Sequence, residues 1–139
     1  MAVQAGLRFI NFEIVKVLFD KKDDVVENDE YEVGIQHQIQ TNDENKNLFR
    51  TVFIININSK NNSFSLQIQA LGIFEILGKV SSNVRDNYLN ISAPSIVYPY
   101  VRAYVSNITL QSGIKPITIP PMNFAVGSND KESEKKSKK

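Results

Sequence analysis

The chain has 139 residues, a net charge of +1, one histidine and no cysteine. That length supplies a single core, and the near-cancelling charges argue against nucleic acid as a partner. The missing cysteines exclude disulfide and thiol chemistry, and one histidine without cysteine gives no metal site.

The N-terminus, MAVQAGLRF, lacks the basic region and apolar run of a signal peptide. No window approaches the ~18 apolar residues of a membrane span. A soluble, cytoplasmic chain without membrane insertion is therefore expected.

In chain order, Leu7 to Phe19 mixes alternation with a continuous apolar run, as in a long strand with both faces partly covered. The charged stretch KKDDVVENDE follows as a turn or loop. Tyr31 to Thr41 alternates cleanly, with Tyr31, Val33, Ile35, His37 and Ile39 on one side and glutamines mostly on the other. After the turn-forming TNDENKN, Leu48 to Ser59 places Phe49, Thr51, Phe53, Ile55 and Ile57 on one face and Val52 and Ile54 on the other. Lys60, Asn61 and Asn62 make a hairpin connection, since asparagine tolerates positive φ. Ser63 to Gly78 is a fourth strand, and Gly72 inside it predicts a bulge or a close backbone approach. A short helix is expected around Val84 to Leu89.

From Ala93 the periodicity changes. Val97, Tyr100, Val101, Tyr104, Val105 and Ile108 recur at steps of three and four and predict one helical face, with Arg102, Ser106, Asn107 and Gln111 on the other side. Ser95 as N-cap would put Pro99 in the first turn, where its missing N–H costs nothing; a start at Pro94 would make Pro99 a kink. Gly113 is the expected stop. Lys115 to Phe124 holds three prolines and must be extended. Residues 127–139, GSNDKESEKKSKK, read as a disordered charged tail behind a domain of residues 1–126.

Four strands followed by one long helix make an α+β fold with a four-stranded antiparallel sheet. Strands one and three are apolar on both faces, more than one helix can cover. A homo-oligomer, with the helical stripe at its interface, is the expected remedy.

Enzyme chemistry is not apparent. His37 sits at an inward strand position, where a hydrogen-bonded core histidine is expected. The six glycines form no phosphate loop, and Asp23 and Asp24 belong to a solvated charge run. Non-catalytic binding is the better reading.

Three segments carry a resemblance. Leu71-Gly72-Ile73-Phe74, Tyr98-Pro99-Tyr100-Val101-Arg102 and Pro121-Met122-Asn123-Phe124 resemble, in order and spacing, the G-I-F, F-P-Y-A-R and P-V-N-F motifs of the bacterial export chaperone family SecB. The resemblance is strong over about Ser65 to Phe124 and topological before it. It implies a homotetramer, a dimer of dimers with the long helices sandwiched between two sheets. It also implies a nucleotide-independent holdase that binds unfolded preproteins in apolar grooves and passes them to the SecA motor. By matching motif, Ile117, Ile119, Pro121, Met122 and Phe124 would contact the client, while Val97, Tyr100, Val101, Tyr104, Val105 and Ile108 remain the interface expected from the helical stripe.

Two departures stand out. Only Ala125 and Val126 follow the last motif before the polar tail, so the family's second helix is not expected here, and partnership with SecA is in doubt. The acidic sheet surface that receives SecA's tail is not matched residue by residue. Glu13, Glu32 and Glu75, or the Asp20 to Glu30 cluster, are its candidates. A chaperone dedicated to a narrow client such as an antitoxin, and an oligomeric scaffold, are the alternative functions.

Overall fold

In a computed structural model, which describes residues 6–22 and 30–127, the apolar-patterned segments are four antiparallel strands. These are β1 Gly6–Lys21, β2 Tyr31–Thr41, β3 Leu48–Ser59 and β4 Phe64–Leu77, in the sheet order β1-β4-β3-β2. Hairpins join β2 to β3 and β3 to β4, the second closing on Asn62 at φ 57°, a value its short polar side chain tolerates. The charged predicted tail lies outside the described residues except for Gly127.

The charged β1–β2 connection, expected as a turn or loop, does not join neighbours in the sheet. β1 pairs with β4, and β2 forms the opposite edge, so the connection is a crossover. A charged segment carries no local mark of this. The partner is chosen by packing far along the chain, where Phe9 stacks on Phe74 with ring centroids 5.0 Å apart.

The confused alternation of β1 also has a physical cause. Its register against β4 shifts between Phe9 and Asn11 and again between Ile14 and Lys16. Each extra residue resets which side chains point inward. Leu7 and Phe9, then Phe12 and Ile14, then Val17 and Phe19 pack against the core, while Ile10, Val15 and Leu18 are left exposed.

One face of the sheet is dry. Phe53, Ile55, Ile57, Ile68 and Phe74 are fully enclosed there, each worth roughly 1.5–3 kcal/mol by removal from water. The helix that covers this face is longer than expected. Helix α1, Ser82–Asn87, continues through a π-helical turn, Tyr88–Ser92, into α2, Ala93–Gln111. The N-cap is Ser81, whose hydroxyl accepts from the Val84 N–H, and not Ser95. Pro94 falls in the first turn of α2 and Pro99 inside it. The π turn just before them widens the ring of hydrogen bonds, so the chain enters α2 without a break in helicity.

The helix rests on β4 at Gly72. A Cβ there would overlap the Val97 side chain and lie 3.2 Å from the Phe74 ring. Of the two expectations for this glycine, the close approach is the one that holds, since β4 pairs with β3 without a register shift. At its far end α2 stops on Gly113, φ 83°, and the Lys21 ammonium donates to the Ser112 carbonyl at 3.0 Å. A cation on a helix C-terminus is favourable, and it ties the tip of β1 to the end of α2.

Candidate functional site

Beyond Gly113 the chain turns back along α2 as an extended arm, residues 114–123, followed by one helical turn, α3, Phe124–Gly127. The arm behaves as a strand without a sheet. Ile114, Ile117 and Ile119 are buried, whereas Lys115, Pro116, Thr118 and Pro120 are exposed. Three prolines fix its φ and cost it donors, so its carbonyls must find partners elsewhere.

Those partners come from one side of α2. The Tyr98 hydroxyl donates to the Pro120 carbonyl, Arg102 Nε to the Ile119 carbonyl at 3.0 Å, and Ser106 Oγ to the Ile117 carbonyl at 2.8 Å. The Ile117 N–H in turn donates to Thr109 Oγ1 at 3.0 Å. Positions 98, 102, 106 and 109 lie on one helical stripe. The sequence pattern places Arg102 and Ser106 on the side of the helix away from the apolar stripe and does not show Tyr98 and Thr109 as partners of the arm. The signal was present in the spacing, but the chain that covers these residues arrives later and from outside the helix.

The arm ends in an aromatic cluster. Phe124 meets the rings of His37, Phe53 and Tyr98 edge-on, at centroid distances of 5.7, 5.9 and 5.9 Å. His37 is half-buried on the inner face of β2, and its Nε2 shares a hydrogen bond with Thr51 Oγ1, as expected of a core histidine. Pro121 and Met122 lie on the exposed rim beside this cluster.

Burial pushes the Tyr98 phenol above its ordinary value, with Arg102 opposing the rise. A phenol that binds its proton more tightly when folded stabilises the fold below the ordinary tyrosine pKa and loses that contribution as pH climbs through the raised value. Denaturant melts taken across about pH 10 should therefore show a loss of stability that Tyr98→Phe reduces. An identical loss in both chains would remove Tyr98 as its source.

Of the residues expected to contact a client, Ile117 and Ile119 are taken up by the chain's own core, while Pro121, Met122 and the half-buried Phe124 reach the surface. Of the helical stripe, Val97, Val101 and Val105 are enclosed against the sheet, joined by Tyr98 and Thr109. Tyr100 is 49 % exposed, and Tyr104 and Ile108 are half-buried. The stripe is thus rotated from the predicted one, because the valines at every fourth residue fit the sheet more closely than the bulkier tyrosines. Tyr100 packs sideways on Phe9 and Phe12.

The strand acids Glu13, Glu32 and Glu75 all fall on the outer face of the sheet, and Glu75 is paired with Arg8 at 2.7 Å. Most of the Asp20 to Glu30 cluster lies outside the described residues. Among the described residues no group of His, Asp and Glu side chains could hold a metal ion, and no helix is long and apolar enough to cross a membrane.

The family described as preprotein translocase subunit SecB matches residues 13–132. An uncharacterised protein of Methanocaldococcus jannaschii is 32% identical over 129 residues, covering 88% of this chain and 82% of its own. The protein-export protein SecB of Methylobacillus flagellatus is 26% identical over 110 residues, covering 76% and 69%. Among solved structures, a Mycobacterium tuberculosis SecB-like chaperone in complex with a peptide from the HigA1 antitoxin superposes with a TM-score of 0.67. It covers 84% of this chain and 88% of that one at 10% identity, a likeness of fold. With the sheet, the long helix and the three motifs in register, the family match over most of the chain makes the protein a member of the SecB family, whose proteins are chaperones and not enzymes.

Proposed function

We propose that the protein is an ATP-independent holdase, cytoplasmic and homotetrameric, that binds unfolded preproteins and keeps them export-competent. The observation that carries the reading is the end of the arm. Pro121, Met122 and Phe124 offer adaptable apolar surface at the rim of a rigid aromatic cluster, and the buried Ile117 and Ile119 hold the arm that presents it. A holdase needs such surface because it must accept many sequences without a shape-specific pocket. Several weak sites on one oligomer then hold a long client by avidity.

A second reading, a chaperone dedicated to one client such as an antitoxin, is favoured by the M. tuberculosis relative of the same fold, which is bound to an antitoxin peptide. Aggregation of several unrelated unfolded proteins, with and without this chain, separates the two. Broad suppression supports the holdase, suppression for a single client supports the dedicated chaperone, and none at all leaves only a scaffold. Pull-down with SecA tests the link to export, which the Arg8 pairing of Glu75 weakens for the acidic-sheet route.

For assembly, Tyr100, Tyr104 and Ile108 are the stripe residues that α2 still offers to another copy, over the enclosed Val97, Val101 and Val105. Tyr104→Asp should dissociate the oligomer in native mass spectrometry, because an unpaired carboxylate in an apolar interface is strongly unfavourable. An unchanged oligomer would move the interface away from α2.

A further inference from the structure

The way α2 grips the arm is the way a protein grips any extended peptide. Three of the four polar contacts take backbone carbonyls, at Ile117, Ile119 and Pro120, and every residue type, proline included, has a carbonyl. Only one contact needs an N–H. Within the stretch that these contacts hold, the buried side chains are two branched residues, Ile117 and Ile119, two apart, with exposed Thr118 between them and Ile114 buried upstream. The lengths agree as well. From Tyr98 to Ser106 is about 12 Å of helix, and from Pro120 to Ile117 about 10 Å of extended chain. Nothing in this chemistry is specific to the arm's own sequence.

We infer that the Tyr98, Arg102, Ser106 and Thr109 face of α2 is an extended-polypeptide site occupied in cis by the arm, and that an unfolded segment with two branched aliphatic residues two apart exchanges with it. The inference rests on the holdase reading and adds to it a competition. The arm covers the site when no client is present, so its apolar floor is never open to water. A client replaces like with like, carbonyl for carbonyl and isoleucine for leucine, valine or isoleucine, so the exchange is near balance. The displaced arm keeps much of its extended form through its prolines. The arm also defines the ligand: apolar, extended, and tolerant of proline at the positions that face outward.

The test uses the full chain and a reduced, alkylated and permanently unfolded protein as client. Client binding is read by fluorescence anisotropy and arm release by amide hydrogen exchange at Ile117, whose N–H is bonded to Thr109. A saturating client should lower protection at Ile117 at least tenfold, and a synthetic peptide of residues 114–124 should compete with the client where the same peptide carrying Ile117→Asp and Ile119→Asp does not. A client that binds while Ile117 stays protected and the peptide fails to compete overturns the cis-occupant inference and leaves the holdase intact. A client that does not bind at all overturns both. Ser106→Ala gives a milder check, since that hydroxyl is one contact on an otherwise intact helix. It removes the same contact from the arm and from the peptide that replaces it, so the peptide's affinity should hold while protection at Ile117 in the free chain falls a few-fold, the loss of one neutral hydrogen bond. Unchanged protection would count against the ladder as the arm's seat.

Discussion

Gly72→Val should cost about 3 kcal/mol of folding stability or more, the upper end of what overpacking a core does. The first added carbon already overlaps the Val97 side chain and lies 3.2 Å from the Phe74 ring. Valine then adds two methyl groups with little rotamer freedom to avoid them. Neither neighbour can yield, because Val97 and Phe74 are both fully enclosed, so α2 would have to lift from β4. Gly34→Ala is the control. Its Cβ would meet only Asn56, at 3.8 and 4.0 Å, an ordinary contact, and it should be neutral or slightly stabilising because glycine is a poor strand residue. Urea midpoints of the two variants decide the matter. Equal stabilities would mean that the helix does not depend on the glycine surface.

Phe124→Asp is the second large effect, this time on binding. The ring touches His37, Phe53 and Tyr98 edge-on and is only half-buried, so the chain can fold without it more easily than the rim can stay apolar. A carboxylate there should weaken the hold on an unfolded client at least tenfold, since a charge facing an apolar segment leaves polar surface desolvated without a partner. The oligomer should stay intact. Phe124→Leu, which preserves apolar volume, should keep most of the affinity. If instead the oligomer dissociates while client affinity is unchanged, Phe124 serves assembly and the client site lies elsewhere.

Much of the fold was legible because β2 and β3 alternate without interruption. Their observed bounds, Tyr31–Thr41 and Leu48–Ser59, coincide with the segments read from the sequence. Asn62, Gly72 and Gly113 were legible for a related reason, since each reports a local constraint, positive φ or a missing Cβ, that acts within its own neighbourhood. What could not be read depends on residues far apart. The bulges beside Ile10 and Val15 exist only in register with β4, and the sheet order depends on which strand β1 meets. Ser95 looked like a cap because the π turn before it has no sequence mark of its own. The site was half legible. The motif resemblance located the arm, but Arg102 and Ser106 were legible only as polar residues off the apolar stripe, since the arm that lies over them comes from later in the chain. Ile117 and Ile119, expected to contact the client, are buried in the chain's own core, which depends on strands far from them in the chain.

The link between Lys21 and the end of α2 carries one more consequence. β1 is anchored along its length to β4 and by its last side chain to the helix cap, while β2, its successor in the chain, sits at the other border of the sheet. Its place in the molecule therefore owes little to the peptide bonds that follow it. Two separate polypeptides, one ending at residue 22 and the other beginning at residue 30, should find each other and rebuild the same domain. The first strand could thus be made apart, labelled, and returned to its seat.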